Sequence, residues 1–406
     1  MRAHLTLAAQ WLTLGTVVGL LCGSSSALFL FLLEWATEFR VGHASWVYAL
    51  PLAGLALGWA YERWGAPIKG GNNLVIDTLR DGGPQVPLRM APMVLAGTLI
   101  THFFGGSAGR EGTAVQMGAS LADWASHRFA LDASMRRATL AAGVAGGFGA
   151  VFGTPLAGTL FALEFTREAK FNLRALVPAM VASFVGDAST RALGIEHTRF
   201  PAIEGLALSV AVVGKWLAFA AAIALMTLVF IELTQALKKR GERHFPRLSV
   251  RMAVGGVLVV GLWKLAGSDD FLGLGLPTLL QAFHDPTLPS HTFALKMLFT
   301  SVTLGAGFIG GEVTPLFVMG AALGNALAQA LGLPLALGAG VGMAATFAAA
   351  SNTPMALSVM ALELLGVAAF PHAALVCVVA WALTGKRSIY PSQFSPQVSR
   401  EPDGRA

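Results

Sequence analysis

The sequence predicts an all-α integral membrane protein built from two related, glycine-broken helical halves. Three observations carry that prediction: the composition, the spacing of the apolar stretches and an internal repeat.

Hydrophobic residues make up 55% of the 406 and charged residues 12%, about half of the roughly 25% usual in soluble domains. The mean hydropathy of +0.64 means that the apolar surplus runs through the whole chain and would overfill any soluble core. A soluble chain of this length would form about two or three domains, yet no polar linker separates any. The net charge is +6, but no basic face is interleaved with aromatics, so a nucleic-acid partner is not expected. In a membrane protein the excess Lys and Arg marks cytoplasmic loops. Cys22 and Cys377 stand alone in apolar stretches and read as packing residues, since a disulfide framework or metal site needs clustered ligands. The nine histidines contain no His-x-x-x-His pair, so no metal and no cofactor is expected.

Apolar stretches recur about every 20 to 30 residues, near the length needed to cross a bilayer. The first is Leu12–Leu33. Arg2 ahead of it resembles a signal peptide, but Leu21 precedes Cys22 where a lipoprotein site wants a small residue, and apolar character resumes from Ala27. A retained membrane helix is expected. Val47–Tyr61, Ala91–Phe104, Leu140–Leu163, Leu176–Val185 and Leu206–Ile231 follow. The later stretches are Met252–Leu265, Phe293–Val302, Leu316–Leu331, Leu335–Ala350 and Met355–Leu383. Several are short or interrupted, and 47 glycines with breaks such as Gly153-Thr154-Pro155 point to broken or re-entrant helices. Irregular backbone at membrane depth persists only inside protein or along a polar cavity, so the breaks are expected where an ion binds.

Lys238, Lys239, Arg240, Arg243, Arg247 and Arg251 form the strongest basic cluster. They predict a cytoplasmic linker over 238–251 between membrane halves at 1–237 and 252–392. Lys386 and Arg387 place the C-terminus on the same side, and 393–406 reads as a polar, disordered tail.

The repeat is the strongest organisational signal. Gly109-Arg110-Glu111-Gly112-Thr113-Ala114-Val115-Gln116-Met117-Gly118-Ala119 is echoed by Gly311-Glu312-Val313-Thr314-Pro315-Leu316-Phe317-Val318-Met319-Gly320-Ala321. Thr154-Pro155-Leu156-Ala157 through Ala162-Leu163-Glu164 returns as Thr353-Pro354-Met355-Ala356 through Ala361-Leu362-Glu363. Matching broken segments in two apolar halves mark a transporter's midplane binding site. Sequence alone leaves open whether the halves run parallel or inverted.

Three glycine-containing segments read as helix starts: Lys69-Gly70-Gly71-Asn72-Asn73, Gly109-Arg110-Glu111-Gly112-Thr113 and Gly310-Gly311-Glu312-Val313-Thr314-Pro315. Unpaired N–H groups and the positive dipole end make converging helix starts an anion site. Each contributes roughly 0.3–2 kcal/mol, so several must cooperate to offset dehydration of the anion.

Gly-Arg-Glu-Gly at 109–112, Gly-x-x-x-Pro at 311–315 and the late tyrosine of Ser388-Ile389-Tyr390 together resemble the hallmarks of the CLC anion channels and transporters. The resemblance is collinear from about Leu12 to Tyr390. It implies a homodimer of all-helical subunits in a membrane, each with its own pathway and two inverted halves. Four departures resemble the fluoride/proton antiporter branch. Asn72 stands where chloride-handling members carry a serine, in Gly71-Asn72-Asn73-Leu74-Val75. The glutamate motif continues into Thr113 and not proline. Glu312 and Thr314 replace apolar residues, and Glu164-Phe165 stands for Glu-Glu. The resemblance therefore implies fluoride export in exchange for protons, and fluoride resistance, in a bacterial inner membrane, with a chloride/proton exchanger or passive chloride channel as the alternative.

Fluoride is small and strongly hydrated and demands more donors than chloride. Asn72 offers two amide N–H groups where serine offers one hydroxyl; Thr314 and the Tyr390 hydroxyl add more. The expected anion site is Asn72, Glu312, Val313, Thr314 and Tyr390, with Gly109, Arg110, Gly112 and Thr113 in support. Glu111 is expected to gate the pathway and carry the proton, because a carboxylate at membrane depth is a functional residue by default. Plainer readings stand beside these. Glu111 also suits a helix dipole, Asn72 and Thr314 suit helix caps, and Arg110 suits an ion pair. Glu312 would repel an anion unless protonated or turned away. Glu164 and Glu363 read as structural. A membrane enzyme would need a clustered catalytic set, and none is present; a scaffold would not need repeated broken helices.

Overall fold

The apolar stretch Leu140–Leu163 does not form one helix. Gly153 turns left-handed at φ +73°, and Pro155 restarts the chain in a new direction. The same thing happens in the second half, where Asn352 (φ 58°) and Pro354 separate two helices. Such breaks divide the chain into many short elements. A computed structural model describes residues 2–166, 173–201 and 203–394.

Among the described residues there are sixteen α-helices and no β-strand. The first eight are α1 (Arg2–Gly42), α2 (Leu50–Trp64), α3 (Asn72–Asp81), α4 (Met90–Phe103), α5 (Glu111–Arg128), α6 (Ala133–Phe152), α7 (Pro155–Glu164) and α8 (Leu173–Ala192). The second eight are α9 (Val210–His244), α10 (Leu248–Ala266), α11 (Leu276–Gln281), α12 (Thr292–Gly305), α13 (Val313–Leu331), α14 (Leu335–Ser351), α15 (Pro354–Leu365) and α16 (Phe370–Thr384).

The packing repeats with the sequence. α5 packs on α6 and α6 on α7 and α8, as α13 packs on α14 and α14 on α15 and α16. The long helices α1 and α9 lie against α8 and α16 respectively. Between the halves, α2 meets α10 and α7 meets α15. Small residues make the helix crossings close. A methyl on Gly118 would strike the carbonyl of Gly143, and one on Gly320 that of Gly342. The core is a layer of Ala, Gly and Phe around these crossings, with Phe148, Phe161 and Phe347 stacked and Phe317 edge-on to Phe347.

Among the described residues, four helices are long and apolar enough to cross a membrane by themselves: Ala9–Gly42, Val210–His244, Leu248–Ala266 and Val313–Leu331. Large apolar side chains such as Phe31, Leu52, Leu225 and Val257 face outward. In water that surface would be a liability; in lipid it is the expected one. The chain is a multi-pass membrane protein.

The division expected at 238–251 falls elsewhere. α9 runs without a break through Lys238–Arg243 to His244, and only Phe245–Arg247 separate it from α10. At 1.5 Å per residue, 35 residues span roughly 52 Å against a hydrocarbon core of about 30 Å. The basic run is the helical overhang, and cations suit a helix C-terminus. The helices instead divide into equivalent sets between α8 and α9. The expected polar tail also begins too early. Gln393 is buried and belongs to a short 3₁₀ turn, Pro391–Phe394, while 395–406 lie outside the described residues.

Candidate anion-binding site

Two helix N-termini meet head to head. The backbone of Gly109 pairs with that of Gly311 in an isolated antiparallel bridge, with N–H···O distances of 2.6 and 2.8 Å. These two glycines are equivalent positions of the repeat. Their antiparallel pairing settles the relation that sequence left open, since the halves run inverted here. Two residues beyond each glycine a helix begins, α5 at Glu111 and α13 at Val313. Their first-turn N–H groups therefore open onto a common space.

Glu111 is buried, with 1% of its surface exposed, and its carboxylate reaches across to α13. The Thr314 hydroxyl donates to Oε1 at 2.6 Å and to Oε2 at 2.7 Å, and the Thr314 N–H donates to Oε2 at 3.1 Å. On its own side Oε2 also accepts from the Arg110 N–H at 3.2 Å, and Oε1 from Arg110 Nε at 3.3 Å. The carboxylate thus lies where a bound anion would lie, on the N-terminus of a helix from the other half. Arg110 forms the ion pair. Val313, the first residue of α13, is buried and offers this set only its backbone.

Asn72 opens α3. The cap position belongs to Gly71, whose φ of +54° disfavours a side chain, and no side-chain cap bond forms. The capping reading of Asn72 does not hold: its Oδ1 is buried without a partner. A methyl built on Gly112 would lie 3.2 Å from Asn72 Nδ2 and 3.7 Å from Glu312 Oε2. Both side chains therefore face the same backbone at the start of α5. Glu312 occupies the cap position of α13 without a cap bond, and its Oε2 is buried and unpartnered. Thr314 is not a cap either, since its hydroxyl goes to Glu111. Thr113 points away, pairing with Thr98 at 2.7 Å.

Tyr390 approaches from the C-terminal segment. It is buried, its N–H donates to Ser388 Oγ at 2.9 Å, and its ring stands edge-on to Phe165 at 5.3 Å. Its hydroxyl lies within electrostatic reach of Glu312 and Glu111. Glu164 and Glu363 sit apart from this group and bind backbone of the opposite half.

Sequence reasoning missed Gln393. Its Nε2 donates to Ser351 O at 2.7 Å and Phe165 O at 3.0 Å, while Oε1 accepts from Ser388 Oγ at 2.7 Å and Asn352 Nδ2 at 3.0 Å. It locks together the ends of α7 and α14 and the segment that carries Tyr390. No signal in a polar C-terminal composition marks such a residue.

The chain is similar to several known proteins. A family model described as voltage gated chloride channel matches residues 53–385. The chain is 45% identical over 391 residues to a chloride/fluoride channel protein of Pseudomonas syringae pv. tomato, covering 95% of this chain and 86% of that one. Its structure matches the crystal structure of a CLC-type fluoride/proton antiporter with a TM-score of 0.92 at 33% identity, covering 95% of this chain and 98% of that one. A slow cyanobacterial Cl⁻/H⁺ antiporter matches with a TM-score of 0.79 at 20% identity, over 93% and 94% of the two chains, and shares the fold.

Proposed function

This chain belongs to the voltage-gated chloride channel family, the CLC proteins, and from that premise we propose that it exports fluoride in exchange for protons, with Glu111 as the moving part. The observation that carries the reading is the carboxylate of Glu111 on the N-terminus of α13. Ionised, it holds the donors that an incoming anion needs. Protonated, it loses the charge that attracts it there, swings out and leaves the Thr314 N–H and hydroxyl to the anion. One group thereby trades a proton for an anion at one place. Hydrogen bonds to a charged acceptor are worth about 1.5–3 kcal/mol each, enough to hold either occupant and weak enough to release it.

Asn72 supplies amide donors on the other side of the anion, and Tyr390 a hydroxyl. Glu312 fits the same site only when protonated, as a donor. The density of donors favours fluoride over chloride. The relatives named for chloride/fluoride and fluoride/proton transport support the same choice.

The basic end of α9 lies in the cytoplasm by the positive-inside rule. The inverted halves then put both termini there as well. The family resemblance makes a homodimer the expected assembly, and outward apolar residues on α7, α8, α15 and α16, among them Leu156, Met180, Phe184, Met355 and Val378, are available for a partner or for lipid.

The test is proton uptake into liposomes during imposed fluoride efflux. Wild type should take up protons and Glu111→Gln should not, with a proton ionophore as positive control. Coupled uptake in Glu111→Gln would move the proton to another residue. Anion flux without any proton in the wild type would favour a passive channel.

A further inference from the structure

Away from Glu111, three basic side chains converge where no acid touches them. Lys296 of α12 is fully buried and donates from Nζ to Gly273 O at 2.8 Å and Phe271 O at 3.2 Å. His102 of α4 is buried, with ring nitrogens 2.8 Å from Thr98 O and 2.9 Å from Ala108 O. Arg40, in the last turn of α1, is 6% exposed, and its Nε and Nη1 are buried without an acceptor among the described residues.

Their common neighbour is Gly273, at φ +53°. A methyl built there would meet nothing closer than 3.8 Å. Its three nearest atoms would be Arg40 Nη2 at 3.8 Å, Arg40 Nε at 4.0 Å and His102 Cδ2 at 4.0 Å. The space over Gly273 is thus large enough for an atom and is walled by a guanidinium and an imidazole edge.

The charges there do not balance. Arginine keeps its proton in proteins, and a buried guanidinium with idle donors is strongly disfavoured without a counter-charge. Asp269 lies within electrostatic reach of Arg40, and Asp270 of Lys296. Both are exposed and already engaged, Asp269 by Trp263 Nε1 and Asp270 by Ser268 Oγ. A neutral His102 has one N–H for two carbonyls, so one of them faces a lone pair. Lys296 has a structural use, clamping the carbonyls of Phe271 and Gly273. Arg40 has no comparable partner.

We propose that the space over Gly273 binds a small monovalent inorganic anion, held by Arg40 in the field of Lys296 and His102, as a second site distinct from Glu111–Thr314. It lies behind the loop that leads to the bridge, because the carbonyl facing His102 Nε2 belongs to Ala108, next to Gly109. α1 is inverted relative to α9, so Arg40 stands on the side away from the basic overhang. An anion here waits outside the exchange site and does not take part in the exchange itself.

Isothermal titration of sodium fluoride into the detergent-solubilised full chain tests the assignment. Arg40→Gln should bind one anion fewer than wild type. Arg40→Lys keeps a charge but loses the Nε–H donor, and should bind that anion roughly tenfold more weakly. Wild-type crystals grown in sodium bromide should give an anomalous peak over Gly273. The bromide map uses the unaltered chain and so decides the matter if Arg40→Gln does not fold. An unchanged fluoride count in a folded Arg40→Gln, or a map with only water over Gly273, overturns the proposal.

Discussion

Glu164 and Glu363 cap each other's helices. Glu164, the last residue of α7, accepts from the N–H groups of Met355 at 3.1 Å and Ala356 at 2.7 Å, in the first turn of α15. Glu363, near the end of α15, accepts from Leu156 at 2.9 Å and Ala157 at 2.8 Å, in the first turn of α7. Neither Thr154 nor Thr353 makes a side-chain cap bond to its own helix. The orphan donors of each start are satisfied by the other half, and α7 and α15 form an antiparallel pair closed at both ends.

That reciprocity makes the two glutamates equivalent in stability. Glu164→Ala and Glu363→Ala should each cost about 0.5–2 kcal/mol, the usual range for losing a cap, and lower the melting temperature by similar amounts. Size-exclusion chromatography after heating measures it. Fluoride over chloride preference should not change. A melting temperature unaffected by either substitution removes the capping role.

Asn72 sits over the backbone of Gly112 with its amide toward the start of α5. Asn72→Ser removes one donor and shortens the reach of the other. The ratio of fluoride to chloride efflux from matched liposomes, followed with ion-selective electrodes, should fall. A ratio that stays the same or rises would place selectivity elsewhere.

Thr314 contacts Glu111 through both hydroxyl and backbone. Thr314→Val keeps shape and N–H and deletes the hydroxyl donor, so fluoride binding should weaken roughly tenfold or more. Thr314→Ser should recover most of the loss. Titration calorimetry reads both, and equal affinities for the two variants would mean the hydroxyl does not hold the anion.

Gln393 uses both amide donors and accepts twice. Gln393→Leu leaves Asn352 and Ser388 without that acceptor, at about 1–3 kcal/mol for buried groups so stranded. Fluoride efflux should slow as Tyr390 loses its support, and the melting temperature should fall. Wild-type efflux from a Gln393→Leu protein with a lowered melting temperature would confine the residue to stability.

Much of the arrangement was legible because it repeats. Gly153 with Pro155, and Pro354 in the echo, mark the helix breaks, and paired motifs locate the helices whose starts converge. What the repeat hid was where it departs from symmetry. Position by position, Glu111 answers to Val313 and Gly112 to Thr314, so the carboxylate comes from one half and its hydroxyl partner from the other. That contact crosses 203 residues, and no local pattern encodes it. Lys296 lies within the apolar stretch Phe293–Val302, where a lysine is itself a signal that the repeat does not carry. Charge alone misplaced the boundary at 238–251, because a basic helix end and a basic loop have the same composition.

The contact between Glu111 and Thr314 also fixes an order of assembly. A growing chain inserts Glu111 long before Thr314 exists, since 203 residues separate them. During that interval the donors of α13 are absent, and Arg110, adjacent in sequence, is the charged group that the folded protein pairs with Glu111. An unpaired charge at that depth would be costly, and Arg110 is the one of Glu111's two partners that is present from the start. The donors of α13 arrive only with the second half, and they take over a carboxylate that has already been carried into place. The Glu111–Thr314 contact therefore forms only with the second half, and a chain stopped before α13 holds Glu111 without the donors that bind it in the folded protein.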